Sequence, residues 1–162
     1  MPSFDNALLA VALGANRPSA VGEPRDTLSA MQPLLEVELT EWAGQPLSFH
    51  WSALKETAPV GPVDQPRYLN GVVLVREIAG QPSEPGALKL LERLLRLERR
   101  FGRERHREQR WGPRTLDLDL LFWGELRLDH QRLVLPHPRM HLRTFVLEPL
   151  LQAMHAAHPP CW

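Results

Sequence analysis

The stretch Thr115 to Trp123, TLDLDLLFW, alternates apolar and acidic residues with a period of two, a pattern that only an extended strand turns into two distinct faces. It predicts a sheet with one covered face. Leu116, Leu118, Leu120 and Phe122 would enter a core, while Asp117 and Asp119 would share the opposite face about 6.6 Å apart at ~3.3 Å per residue. Two carboxylates so placed, next to a dense run of guanidinium groups, suit a polyphosphate held by divalent metal. Two metal ions ~4 Å apart could sit over such a pair. Hard cations such as Mg²⁺ take one or two carboxylates and complete their shell with water and substrate phosphates.

The rest of the chain supplies partners for that strand. Ala7 to Leu13 (ALLAVAL) reads as a buried strand stopped by Gly14, and Tyr68 to Ile78, rich in β-branched residues, as a second. Ser48 to Glu56 is strand-like, and the loop APVGPVDQP follows it. Pro24 suits the first turn of a helix to about Leu35, which Pro33 should end or kink. Ser83 can cap a second helix whose Ala87, Leu90, Leu91, Leu94, Leu97 and Phe101 repeat at 3.6 residues, with Gly102 as its stop. Gly124 would turn the acidic strand into a hairpin with Glu125 to Leu128, and Met140 to Gln152 reads as a last helix interrupted by Pro149. Strands in pairs separated by helices predict an α+β fold, a ferredoxin-like two-layer α/β sandwich with a mainly antiparallel sheet, in a single domain over residues 1–162.

Charge is balanced overall, with 19 basic and 19 acidic residues, but unevenly spread. From Arg93 to Arg114 nine arginines stand against three glutamates, a local excess of six that leaves −6 for the remainder. Seventeen of the basic residues are Arg, whose planar fork binds phosphate oxygens two at a time. A nuclease would want a long basic groove, and the acidic remainder argues against one. An RNA-binding sheet of this class would show stacked aromatics at its RNP positions, and no such motif is present. GxxxxGK[ST], the P-loop signature, is also missing. The single cysteine, Cys161, fits a reducing cytosol, and the seven-residue run from Ala7 is too short for a membrane span. A cytoplasmic protein with no membrane or nucleic-acid partner is expected.

Other residues leave alternatives open. Asn70 can donate and accept together, which suits the edge of a heterocycle, or it can brace a loop. Trp111 and Phe145 could stack on a flat ligand or belong to a core. His137, set between Pro136 and Pro138, could donate to a phosphate or hold the turn.

Taken together, LGAN, GPVDQPRYLN, RWGPRTLDLDLLF and LPHPRMHLRTFVLEPL, in that order, resemble the 6-hydroxymethyl-7,8-dihydropterin pyrophosphokinases of folate biosynthesis. The resemblance implies transfer of the β,γ-pyrophosphoryl unit of ATP to the hydroxymethyl group of the reduced pterin, giving AMP. On that pattern Asp117 and Asp119 hold two Mg²⁺, Arg103 and Arg105 close over the triphosphate from a flexible loop, and Arg114 clamps it. Glu98, Arg132, His137 and Arg143 match ATP-site positions. Asn70 reads the pterin edge, Phe145 stacks on its face, Tyr68 and Trp111 line the pocket, and Thr57 to Val60 wall it. The segment from Gly102 to Trp111 is one residue longer than the pattern, so Arg105 and Arg107 compete for one role. Ala58 and Val60 stand where proline and leucine are common, and Val134 replaces a hydroxyl residue. The enzyme is expected to act as a monomer.

Overall fold

Five antiparallel strands form the sheet, and both long helices cover one of its faces. The computed structural model describes residues 7–58, 66–103 and 114–138, together with helical residues 148, 150, 151, 153 and 154. β1 (Ala7–Ala15) lies centrally between β4 (Tyr68–Ile78) and β5 (Asp117–Trp123), while β2 (Ser48–Trp51) and β3 (Lys55–Thr57) pair with successive parts of β4. α1 (Pro24–Ala43) and α2 (Glu84–Arg100) bury Leu28, Met31, Leu35 and Leu39, and Ala87, Leu90, Leu94 and Leu97, against Leu9, Val11, Val73, Val75, Leu118 and Leu120 of the sheet. The result is the α+β two-layer sandwich expected from the order of elements. On the other face Leu150 and Ala153 cover Ala10, Val72, Leu74 and Leu121.

Five local expectations are corrected, the first at β1, which runs on through Gly14 to Ala15 because both residues still pair with β4, instead of stopping at the glycine. α1 does not end at Pro33 but continues to Gly44, whose φ of 70° gives the left-handed cap that donates to Thr40 O. Pro33 and Ser29, the residue whose carbonyl loses its donor, both lie on the exposed side, so water replaces that bond. The buried stripe of Met31, Leu35 and Leu39 outweighs the local penalty. The stretch from Ser48 to Glu56 is broken in two because the Ser52 hydroxyl, rather than a main-chain carbonyl, accepts from Val72 N–H at 2.9 Å.

In β5 the register against β1 slips between Ala10, paired with Phe122, and Val11, paired with Leu120, leaving Leu121 as the extra residue of a bulge. Phe122 therefore packs with the second cluster, and Trp123 takes the helix-side place that alternation gave to Phe122. The fifth correction concerns the hairpin after Gly124. β6 (Leu128–His130) pairs with β7 (Leu133–Leu135), not with β5. Gly124 N–H donates to Leu8 O at 2.7 Å, which keeps the end of β5 on β1.

Helix α2 conforms to its sequence signals. Ser83 Oγ accepts from Gly86 N–H, and Gly102, at φ 86°, follows its last turn. This ending delivers the chain to the start of β5, where the acids stand.

Candidate active site

Cross-strand register assembles the site. Gly14 pairs with Asn70 on one side and Asp117 on the other, and Ala12 likewise pairs with Val72 and Asp119. Directly paired residues point to the same face of a sheet. Asn70 and the two aspartates thus share the face opposite the helices, with strands spaced ~4.8 Å placing Asn70 and Asp117 about 10 Å apart across Gly14. The acids leave the core as their alternation predicted. Asn70 is 7% exposed, and its Nδ2 donates to Thr57 Oγ1 at 2.5 Å; Thr57 pairs with Tyr68 across β3 and β4. Thr57, Tyr68 and Asn70 therefore form one polar corner at the end of the sheet.

At Asp117 a buried ionic clasp holds Arg103, the arginine expected in the lid. Arg103 is only 2% exposed, and its Nη1 donates to Glu98 Oε2 at 2.8 Å, to Asp117 Oδ1 at 2.7 Å and to Leu116 O at 3.1 Å. Glu98, 1% exposed near the end of α2, also accepts from Leu118 N–H at 2.8 Å. One carboxylate thus grips β5 between the two acids. Glu98 is not among the residues that line the neighbouring cavity.

That cavity, of about 450 Å³, lies between β5, the β6–β7 hairpin and α2. Asp119, Arg132 and His137 line it, as do His130, Val134 and Leu91. Arg132 also bonds Glu92 on α2, which holds the Glu92 carboxyl below the usual carboxylate range. His137 N–H donates to Leu121 O at 2.7 Å, setting its loop beside β5. His130 was not anticipated; its Nδ1 accepts from Arg132 N–H, which places the neutral ring's proton on Nε2.

Arg114 is positioned by a residue that the sequence marked only as part of LGAN. Asn16, 2% exposed, accepts from Arg114 N–H through Oδ1 at 2.8 Å and returns its own N–H to Arg114 O at 3.0 Å. Its Nδ2 donates to Pro66 O at 2.9 Å. An asparagine directly after a buried strand was the available signal, but its two partners lie 98 and 50 residues away. Asn16→Ala would leave Arg114 N–H and Pro66 O without these partners, and a part-buried hydrogen bond of this kind contributes about 0.5–1.5 kcal/mol. We expect urea unfolding of Asn16→Ala to show at least the lower figure.

Val60, Arg105, Arg107, Trp111, Arg143 and Phe145 lie outside the described residues.

The donor set fits a hard cation that is completed by its ligand. Among the described residues no group of three or more His, Cys, Asp and Glu could hold a metal alone. Two carboxylates on one sheet face, each paired across β1 with a small residue, Gly14 or Ala12, suit a cation that completes its shell with water and phosphate oxygens.

Residues 10–155 match the family described as 7,8-dihydro-6-hydroxymethylpterin-pyrophosphokinase. A 2-amino-4-hydroxy-6-hydroxymethyldihydropteridine pyrophosphokinase of Haemophilus influenzae is 37% identical over 142 residues, covering 88% of this chain and 78% of that protein. The protein of the same name from Pseudomonas aeruginosa is 42% identical over 144 residues, covering 86% and 76%. A mitochondrial folate synthesis bifunctional protein of Arabidopsis thaliana is 37% identical over 147 residues, which are 91% of this chain and 23% of the plant protein. With the family match spanning most of its length, the chain belongs to the 7,8-dihydro-6-hydroxymethylpterin-pyrophosphokinase family.

Proposed function

We propose that this chain transfers the pyrophosphoryl group of ATP to 6-hydroxymethyl-7,8-dihydropterin in folate biosynthesis. The hydroxymethyl oxygen attacks the β-phosphorus, the bond from that phosphorus to the oxygen bridging it to the α-phosphate breaks, AMP departs, and the hydroxyl proton passes to solvent. One observation supports this reading beyond family membership: Asn70 and Asp117 both pair with Gly14 and so stand in one row on the same sheet face, on either side of a glycine.

Thr57, Tyr68 and Asn70 seat the pterin, with Val60, Trp111 and Phe145 completing its pocket. Asp117 and Asp119 hold two Mg²⁺ ions with the triphosphate. When bound, the ions would neutralise phosphate charge and polarise the transferred group. Arg132 and His137 bind ATP from the cavity beside Asp119, and Arg143 joins them. Arg114, fixed through its main chain by Asn16, directs its guanidinium to the phosphates together with Arg105. Glu98 and Arg103 act from beneath, holding Asp117 and the β5 backbone in place. The protein's task is positioning and charge compensation, with no covalent intermediate required.

The proposal extends to a cytoplasmic monomer with one domain over residues 1–162. Among the described residues no helix is long and apolar enough to cross a membrane.

Nucleotide product analysis tests the reaction. With ATP, Mg²⁺ and the hydroxymethyl dihydropterin, AMP should form in step with pterin diphosphate, and chelation of divalent metal should stop both. Formation of ADP instead would identify an ordinary kinase and overturn the proposal.

A further inference from the structure

We infer that Gly14 is a specificity-determining position: its missing side chain sets the orientation of the Asn70 amide and so the seat of the heterocycle beside Asp117. This rests on the proposed ring-reading role of Asn70. Gly14 sits inside β1, where glycine ordinarily weakens a strand by its backbone entropy and by offering nothing to pack. Its backbone does not demand glycine, since its φ lies outside the left-handed region that Gly22, Gly44, Gly80, Gly102 and Gly124 occupy. The reason must be spatial.

A Cβ at position 14 would stand 2.9 Å from Asn70 Oδ1, 3.6 Å from Leu69 O and 3.8 Å from Tyr68 Cδ1. The first distance is shorter than any ordinary carbon–oxygen contact, so the carboxamide would have to move. It cannot yield without loss. Asn70 is buried, and its Nδ2 is tied to Thr57 Oγ1 at 2.5 Å. A methyl group at 14 would therefore swing the amide away from the plane in which it meets a ring edge, or break its bond to Thr57. All three nearest atoms belong to the segment Tyr68 to Asn70, so the cost falls on the heterocycle's side of the site.

The test compares Gly14→Ala, Asn70→Ala and the double variant, measuring 6-hydroxymethyl-7,8-dihydropterin affinity by fluorescence titration, KM for ATP, and thermal unfolding. Gly14→Ala should lose at least tenfold in pterin affinity, change KM for ATP less than twofold, and remain folded at the assay temperature. In the Asn70→Ala background the same change should cost less than twofold, because the clashing atom is gone. Pterin affinity within twofold of the parent in Gly14→Ala overturns the inference, as does an equal loss with and without Asn70. Should Gly14→Ala fail to fold, rescue by Asn70→Ala supports the inference and failure of rescue overturns it, since the obstruction is then the backbone. Unchanged pterin affinity in Asn70→Ala alone would remove the ring-reading role itself, and the inference with it.

Discussion

Asp119→Ala should lower kcat by about a thousandfold or more while pterin affinity stays within a few-fold of the parent. A metal acting on a transferring phosphoryl group contributes several kcal/mol, and ~4 kcal/mol corresponds to about three decades of rate. Asp119 is the sharper target of the two acids because it lines the cavity with Arg132 and His137, and Asn70 is separated from it by a further residue along β4. Its removal therefore deletes a proposed metal ligand and spares the polar corner formed by Thr57, Tyr68 and Asn70. Asp117→Ala should be comparably inactive, but it also strips a partner from Arg103, so its loss will combine metal binding with a local rearrangement. Calorimetric titration of Mg²⁺ with a nonhydrolysable ATP analogue separates the two cases: Asp119→Ala should bind the metal complex more weakly with unfolding unchanged. Near-normal kcat for Asp119→Ala across a range of Mg²⁺ concentrations would remove the metal assignment.

The placement of the candidate site residues was legible where the code is local. Alternation alone put Asp117 and Asp119 on one face, and a β-branched run alone delimited β4 and with it Tyr68 and Asn70. Failure came where distant parts of the chain decide. Pro33 is a helix breaker by local rules, but its ring faces solvent and the stripe behind it is buried, which no window around Pro33 reveals. The doubled leucine at 120 and 121 carried a hint of the bulge, yet the face of Phe122 depends on register against β1. Strands of three residues, as in β6 and β7, are too short for periodicity to name their partners. Gly14 was read as the stop of β1 and Asn16 was visible only as a letter of a motif, because what they do is decided by cross-strand and loop contacts. The partners of Arg103, expected as a loop residue over the triphosphate, were not legible, because it is bonded to a carboxylate five residues back and another fourteen ahead.

Glu98→Ala should destabilise the fold by about 3 kcal/mol, the lower part of the range for breaking a buried ion pair by removing one partner. The lower part is chosen because Arg103 keeps Asp117. That partner counts for less than Glu98 does, since the Asp117 side chain is 31% exposed and the Glu98 side chain only 2%, so solvent screens the one pair and not the other. The same substitution orphans Leu118 N–H in the interior. Glu98→Gln should recover part of the loss, because an amide oxygen can still accept from Leu118 N–H while the charge opposite Arg103 is gone. The ordering expected from urea unfolding is therefore Glu98→Ala below Glu98→Gln below the parent, with Asp117→Ala closer to the parent than either. A Glu98→Ala midpoint equal to the parent's would mean that the clasp is dispensable. The consequence reaches activity through position alone: Glu98 holds the main chain at the residue between the two acids, so Glu98→Gln, assayed well below its unfolding midpoint, should weaken Mg²⁺ binding while leaving pterin affinity unchanged. Equal loss of both would instead mark Glu98 as a general support of the sheet.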